Sequence, residues 1–172
     1  MSDARKRCNW AADDLLSTYH DEEWGIRPTD DARWLEFVVL ETFQAGLSWR
    51  TILHKRNAFR RAFVGFDPVR VASFEALDVE RLLQDETIVR HRKKIEAAVE
   101  NAKIAVALMG QHGSLDAWFH HLSQTTDSPE QLLDALCRQF RFVGRTTAES
   151  IAFATGLLPA PHEAVCWRYA TS

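Results

Sequence analysis

Four residues near the two ends of the chain carry metal-binding chemistry. Cys8 and His20 lie close to the start of the 172-residue sequence, and His162 and Cys166 close to its end. Two thiols and two imidazoles make a complete tetrahedral donor set of the kind that holds a structural Zn2+ ion. The i, i+4 spacing of His162 and Cys166 puts both on one helix face, where they can chelate an ion even without the other pair. Almost the whole chain separates the two pairs, and the spacing does not say that they meet. A buried Cys8, an exposed His162 and a hydrogen-bonded His20 account for the same residues one by one. The third cysteine, Cys137, stands beside Leu136 with no ligand-like neighbour and reads as core.

A single carboxylate stands out in the same way. Trp34, Val38, Glu41 and Ala45 follow one another at i, i+4, i+7 and i+11, so Glu41 falls on an apolar helical stripe. A charge buried there costs several kcal/mol unless it is paired or hydrogen-bonded, which points either to function or to a structural partner such as Arg or His. Glu36 falls on another face and is expected in solvent. Trp10, Tyr19, Trp24, Trp34 and Trp49 crowd this part of the chain. Most belong in the core, but a few around one acceptor carboxylate would form a stacking slot for a cationic base.

A third constellation is Phe142-Val143-Gly144-Arg145-Thr146-Thr147-Ala148-Glu149, where one glycine joins two apolar helices. Thr146 and Glu149 have the spacing of a capping box, and the glycine can take positive φ in a tight hairpin. The free N–H groups of the following helix can then hold a phosphate, the work of a helix-hairpin-helix element. An ordinary αα-corner uses the same glycine and cap for packing alone. Three basic clusters weigh toward DNA: Arg138, Arg141 and Arg145; Arg90-His91-Arg92-Lys93-Lys94; and His54-Lys55-Arg56 with Arg60-Arg61. The net charge of −3 runs against a non-specific nucleic-acid binder. Screening over about 8 Å nevertheless lets a local positive field act independently of remote carboxylates.

The elements that must position these residues are helices. Period-two alternation is nearly absent, so the fold class is all-α, and without a linker or repeat residues 1–172 read as one domain. Helices are expected over Asp31–Gln44, largely buried and ended by Gly46; from Ser48 to about Phe63; over Val79–Gln84, capped by Asp78; and from about Ile88 to Met109, ended by Gly110. Two more open at Ser114 and at Ser128-Pro129-Glu130, with Gly144 breaking the register of the last. The sequence holds no apolar run long enough for a membrane span, and its three scattered cysteines argue against a disulfide framework, so a cytoplasmic protein is expected.

Arg7-Cys8-x-Trp10, Tyr19-His20-Asp21-Glu22-Glu23-Trp24-Gly25, Glu41-Thr42-Phe43-Gln44-Ala45-Gly46-Leu47-Ser48-Trp49 and Phe142-Val143-Gly144 together resemble the DNA-3-methyladenine glycosylase I family. The resemblance runs from Arg7 to Cys166. It implies a monomeric helix-hairpin-helix enzyme that flips an alkylated purine out of double-stranded DNA and hydrolyses its bond to the sugar. Cys8, His20, His162 and Cys166 would be ligands of a structural Zn2+ joining the termini. Glu41 would hydrogen-bond the excised base and stabilise developing charge. Tyr19 and Trp49 would surround that base, with Trp10 and Trp24 in support, and Gly144, Arg145 and Thr146 would hold DNA phosphate. The sequence departs from the family pattern by one missing residue between Cys8 and Tyr19, and by Leu16 or Ser17 where the family has a further pocket tyrosine. Its hairpin helix is also less aromatic, and the Leu157-to-Pro161 connection before His162 is longer. Two other readings accommodate the same residues: a glycosylase with a shifted alkylpurine range, and a non-catalytic, zinc-stabilised DNA-binding or lesion-sensing module.

Overall fold

The computed structural model describes residues 5–169, all of whose regular structure is helical. The helices run α1 (Asp14–Glu22), α2 (Asp31–Gln44), α3 (Trp49–Ala62), α4 (Pro68–Ala72), α5 (Ala76–Gln84), α6 (Arg92–His112), α7 (Leu115–Thr125), α8 (Pro129–Gln139) and α9 (Arg145–Ala154). Most begin on a side chain suited to the task. Asp13, Asp30, Ser48, Ser114 and Ser128 each accept a hydrogen bond from the backbone N–H three residues on, satisfying a donor that the helix itself cannot.

Helix α2 is the axis of the molecule. Every residue from Trp34 to Phe43 is buried, because α3, α6, α7 and α9 pack around it. Trp34 stacks on Phe119 at 3.8 Å between ring centroids, and Phe43, Phe59, Phe63 and Phe66 continue the core. A smaller cluster of Leu16, Tyr19, Phe37, Leu53 and Ala154 lies beside it, flanked by the partly buried Trp10, Trp24 and Trp49. The candidate site sits on this second cluster.

The burial of α2 on all sides corrects the expectation for Glu36, which is 5% exposed rather than solvated. A helical stripe separates buried from solvated positions only where the helix has a solvent face, and α2 has none along this stretch. Glu36 is held by Arg33 at 2.7 Å and Arg60 at 2.9 Å, while Glu23 pairs with Arg56 at 2.7 Å and also with Arg33. Much of the expected basic cluster on α3 is therefore consumed in joining α1, α2 and α3. Lys94 likewise leaves its cluster for the interior.

Three helix starts also differ from expectation. Helix α5 begins at Ala76, and Asp78 sits inside its first turn, accepting from Glu75 N–H at 3.0 Å instead of capping from outside. Helix α6 begins only at Arg92, capped by the His91 ring, and runs through Gly110 to stop at Gly113, whose φ of +91° ends it. Gly110 remains helical, a substitution of glycine into a helix costing only about 1 kcal/mol. In the hairpin, α8 ends at Gln139 and Phe142, not Gly144, takes the positive φ of 59°. Gly144 is the extended N-cap of α9, which starts at Arg145. Thr146 therefore lies within the first turn and forms no capping box with Glu149.

Candidate active site

Cys8, His20, His162 and Cys166 meet. Their four ligand atoms lie within 4.8 Å of one another and all four residues are buried. His162 Nδ1 is 3.6 Å from Cys8 Sγ and 3.5 Å from Cys166 Sγ, and Cys166 Sγ is 3.3 Å from His20 Nε2. Tetrahedral zinc with bonds of about 2.3 Å to sulfur and 2.0 Å to nitrogen would set sulfur and nitrogen about 3.5 Å apart, so the donor set fits such an ion. Burial pushes His162 down to about 4, helped by Arg168 and His20, and so keeps its ring neutral as a ligand must be. Burial raises the Cys8 thiol, the cost that a cation would offset.

Asp21 organises the surroundings of this cluster. Its carboxylate accepts from Arg7 at 2.7 Å and Trp167 Nε1 at 3.2 Å, and bonds His20 Nδ1 at 2.8 Å, which turns Nε2 toward the cysteines. Burial acts against the charge, but these partners overcome it and hold Asp21 well below the usual carboxylate range. Close backbone contact brings the halves together. Gly25 N–H donates to Ala154 O at 2.9 Å, and a Cβ on Gly156 would meet Gly25 O at 2.8 Å. Gly156 also has a φ of +69°, so both space and conformation demand glycine there.

The His20 and His162 imidazoles form one wall of an aromatic stack. Trp24 lies 4.7 Å from the His162 ring and Trp10 lies 5.2 Å from His20, while Trp10 and Trp24 meet edge-on at 5.0 Å. Beyond them Tyr19 and Trp49 are 5.2 Å apart. The stack opens into a cavity of about 380 Å³ whose walls include Trp10, Leu16, Tyr19, Trp24, Glu41 and Trp49. Trp34 belongs to the core instead.

Among the described residues, the Glu41 carboxyl and the Trp49 indole N–H in this cavity have no partner. Glu41 is 5% exposed, and among the described residues none hydrogen-bonds or ion-pairs with its carboxyl; burial pushes it up to about 8. The Trp49 indole N–H is buried without an acceptor. Burial and then the nearby Glu41 and Glu23 raise Tyr19 well above its ordinary value, so its phenol stays protonated. A neutral carboxyl and an unused N–H donor, between aromatic walls, suit a flat heterocycle with both donors and acceptors on its edge.

The hairpin residues lie elsewhere on the surface. Gly144, Arg145 and Thr146 are exposed, no side chain caps α9, and Arg145 pairs with Asp134 at 3.1 Å. Helix α9 links the two places, since Ser150 and Phe153 from its later turns line the cavity. These two residues carry no sequence signal, because they reach the cavity only through tertiary packing. Of the two candidates for the absent tyrosine, Leu16 lines the cavity, whereas Ser17 bonds to Ala11 O at 3.0 Å.

An aromatic slot closed around one carboxyl, on a domain built of helices, is the architecture of an enzyme that takes up an extruded nucleobase. A family model described as methyladenine glycosylase matches residues 9–135. DNA-3-methyladenine glycosylase 1 of Escherichia coli (strain K12) is 41% identical over 89% of this chain and 91% of its own. A crystal structure of 3-methyladenine DNA glycosylase I superposes with a TM-score of 0.81 at 38% identity, covering 94% of this chain and 98% of that one. A tyrosine-to-phenylalanine variant of such an enzyme, in complex with 3-methyladenine, gives 0.83 at 31% identity, covering 94% and 96%. The chain belongs to the methyladenine glycosylase family.

Proposed function

We propose that the protein is a DNA-3-methyladenine glycosylase that hydrolyses the N-glycosidic bond of 3-methyladenine extruded from double-stranded DNA. The observation that carries this reading is Glu41, buried and unpartnered in the aromatic cavity. Adenine presents an N7 acceptor beside an N6 amino donor. A carboxyl still protonated at neutral pH matches that edge, with its O–H toward N7 and its carbonyl toward the amino group. Methylation at N3 makes the base cationic, and the faces of Tyr19, Trp49, Trp10 and Trp24 favour a cation.

The same charge weakens the bond to the sugar. As the C1′–N9 bond breaks, its electron pair returns to the base, which leaves neutral, and water adds to C1′ and gives up a proton. The returning electrons make N7 a better acceptor, so the Glu41 hydrogen bond strengthens along the reaction and favours the transition state over the bound substrate. Among the described residues no lysine lines the cavity, in keeping with a monofunctional enzyme that leaves an abasic site.

Cys8, His20, His162 and Cys166 would hold one Zn2+, whose closed four-ligand shell supplies structure alone. Gly144, Arg145 and Thr146 at the start of α9 are assigned to a DNA phosphate, through backbone N–H groups that no side chain occupies. The protein is taken to act as a monomer in the cytoplasm. The three free cysteines suit a reducing compartment, and among the described residues no helix is long and apolar enough to cross a membrane.

Chromatography with mass detection of bases released from methylated duplex DNA tests this function. Selective release of 3-methyladenine is expected. Release of other alkylpurines in its place would shift the lesion range, and no release from folded, zinc-loaded protein would overturn the assignment. Elemental analysis should find one zinc per chain.

A further inference from the structure

Helix α6 carries two buried polar side chains, seven residues apart on one face. Lys94 is 6% exposed and donates its ammonium protons to Phe43 O at 2.9 Å and Ala45 O at 2.7 Å. No carboxylate pairs with it among the described residues. Asn101 is fully buried and bonds the Arg141 backbone in both directions, donating from Nδ2 to the carbonyl at 3.0 Å and accepting the N–H on Oδ1 at 2.7 Å. Seven residues are two helical turns, a rise of about 10 Å.

The targets are backbone groups on two different loops. Phe43 and Ala45 lie where α2 ends, just past Glu41 and just before Leu47, Ser48 and Trp49. The carbonyls there have no acceptor role left in the helix, and a cation complements their partial negative charge. Arg141 directly precedes Phe142, whose left-handed backbone turns the chain toward Gly144 and α9. Burying an ammonium or an amide is costly unless it is hydrogen-bonded, and both residues recover that cost on loop backbone alone.

We propose that Lys94 and Asn101 are positioning residues that fix the spacing between the rim of the base cavity and the phosphate-holding start of α9. This rests on the function proposed above. With both loops pinned to one rigid helix, a phosphate held at the hairpin sets where the extruded base arrives relative to Glu41, as a productive geometry requires. Each residue governs its own loop. Lys94 acts on the cavity rim, and Asn101 acts on the DNA grip.

Three readouts test this on zinc-loaded protein: affinity for free 3-methyladenine by tryptophan fluorescence, affinity for abasic-site duplex DNA, and the single-turnover rate of 3-methyladenine release. Lys94→Met should weaken base affinity and slow release about ten-fold while DNA affinity stays within about two-fold. Lys94→Arg should restore much of the loss. Asn101→Asp keeps the acceptor for Arg141 N–H but loses the donor. It should weaken DNA affinity several-fold and leave base affinity unchanged. Should Lys94→Met or Asn101→Asp not fold, Lys94→Gln and Asn101→Ser, which keep a hydrogen-bonding group, read the same division. Variants that lose base and DNA affinity in equal proportion, or lose neither, overturn the inference while wild-type protein still releases 3-methyladenine. Wild-type protein that releases none overturns the function on which it rests.

Discussion

Helix α2 carries two carboxylates with the same exposure and opposite surroundings. Glu36 and Glu41 are each 5% exposed, five residues apart on one helix. Glu36 is gripped by Arg33 and Arg60 and closes an ionic chain through Arg33 to Glu23 and Arg56. Glu41 faces an aromatic cavity with no partner for its carboxyl among the described residues and is pushed up to about 8. Burial alone therefore does not mark a functional carboxylate. An unanswered hydrogen-bonding capacity facing a cavity is what points to the proposed role of Glu41, because the protein has borne the desolvation cost without recovering it inside itself.

This contrast is breakable by substitution. The largest effect is expected from Glu41→Ala, which should slow 3-methyladenine release by about 100-fold or more in single-turnover assays, two hydrogen bonds to the base being lost. Glu36→Ala should leave release within about two-fold. Equal losses of activity would erase the distinction. In thermal or urea unfolding the order reverses. Glu36→Ala should cost about 2 kcal/mol, the exposure of Arg60 tempering the loss, and Glu41→Ala less.

Proton linkage sharpens the comparison. The folded protein keeps a proton on Glu41 up to about pH 8, whereas the unfolded chain releases it near its ordinary 4.5. The folded state thus binds more protons between these values, and stability contributed by Glu41 must fall as the pH rises through that window, by as much as a few kcal/mol. Glu41→Gln should flatten this segment of the stability profile and be more stable than wild type above pH 8. Because glutamine also offers one donor and one acceptor to the base, it should slow release by only about ten-fold. The smallest effect is expected from Trp49→Phe, which keeps a ring and removes the unused N–H, lowering free-base affinity by a few-fold in fluorescence titrations.

The helical class and Glu41 were legible because both rest on local periodicity. Ser48, Ser114 and Ser128 announced helix starts for the same reason. Glu36 was misread because its surroundings come from the Arg33 and Arg60 side chains, and Arg60 belongs to another helix. The uninterrupted run Trp34-Leu35, Phe37-Val38-Val39-Leu40 around it already marks a helix buried on all sides. Thr146 and Glu149 had capping-box spacing, but the left-handed turn falls at Phe142 and leaves Gly144 to cap α9. The resemblance proposed the pairing of Cys8 and His20 with His162 and Cys166. No local signal could, since it depends on Gly25 passing against Gly156 across most of the chain. Ser150 and Phe153 carry no sequence signal, and Lys94 reads as part of a surface basic cluster, because all three reach their places only through long-range packing.

That Glu41 is a buried carboxyl held neutral and unpartnered for the base decides the proposed mechanism. It is tested most directly by following the Glu41 side-chain carboxyl carbon by NMR across a pH titration, in the free protein and with 3-methyladenine bound. A midpoint of about 8 is expected in the free protein, moving upward when the base accepts the Glu41 proton in a hydrogen bond. A midpoint near 4.5, unchanged by the base, would contradict it.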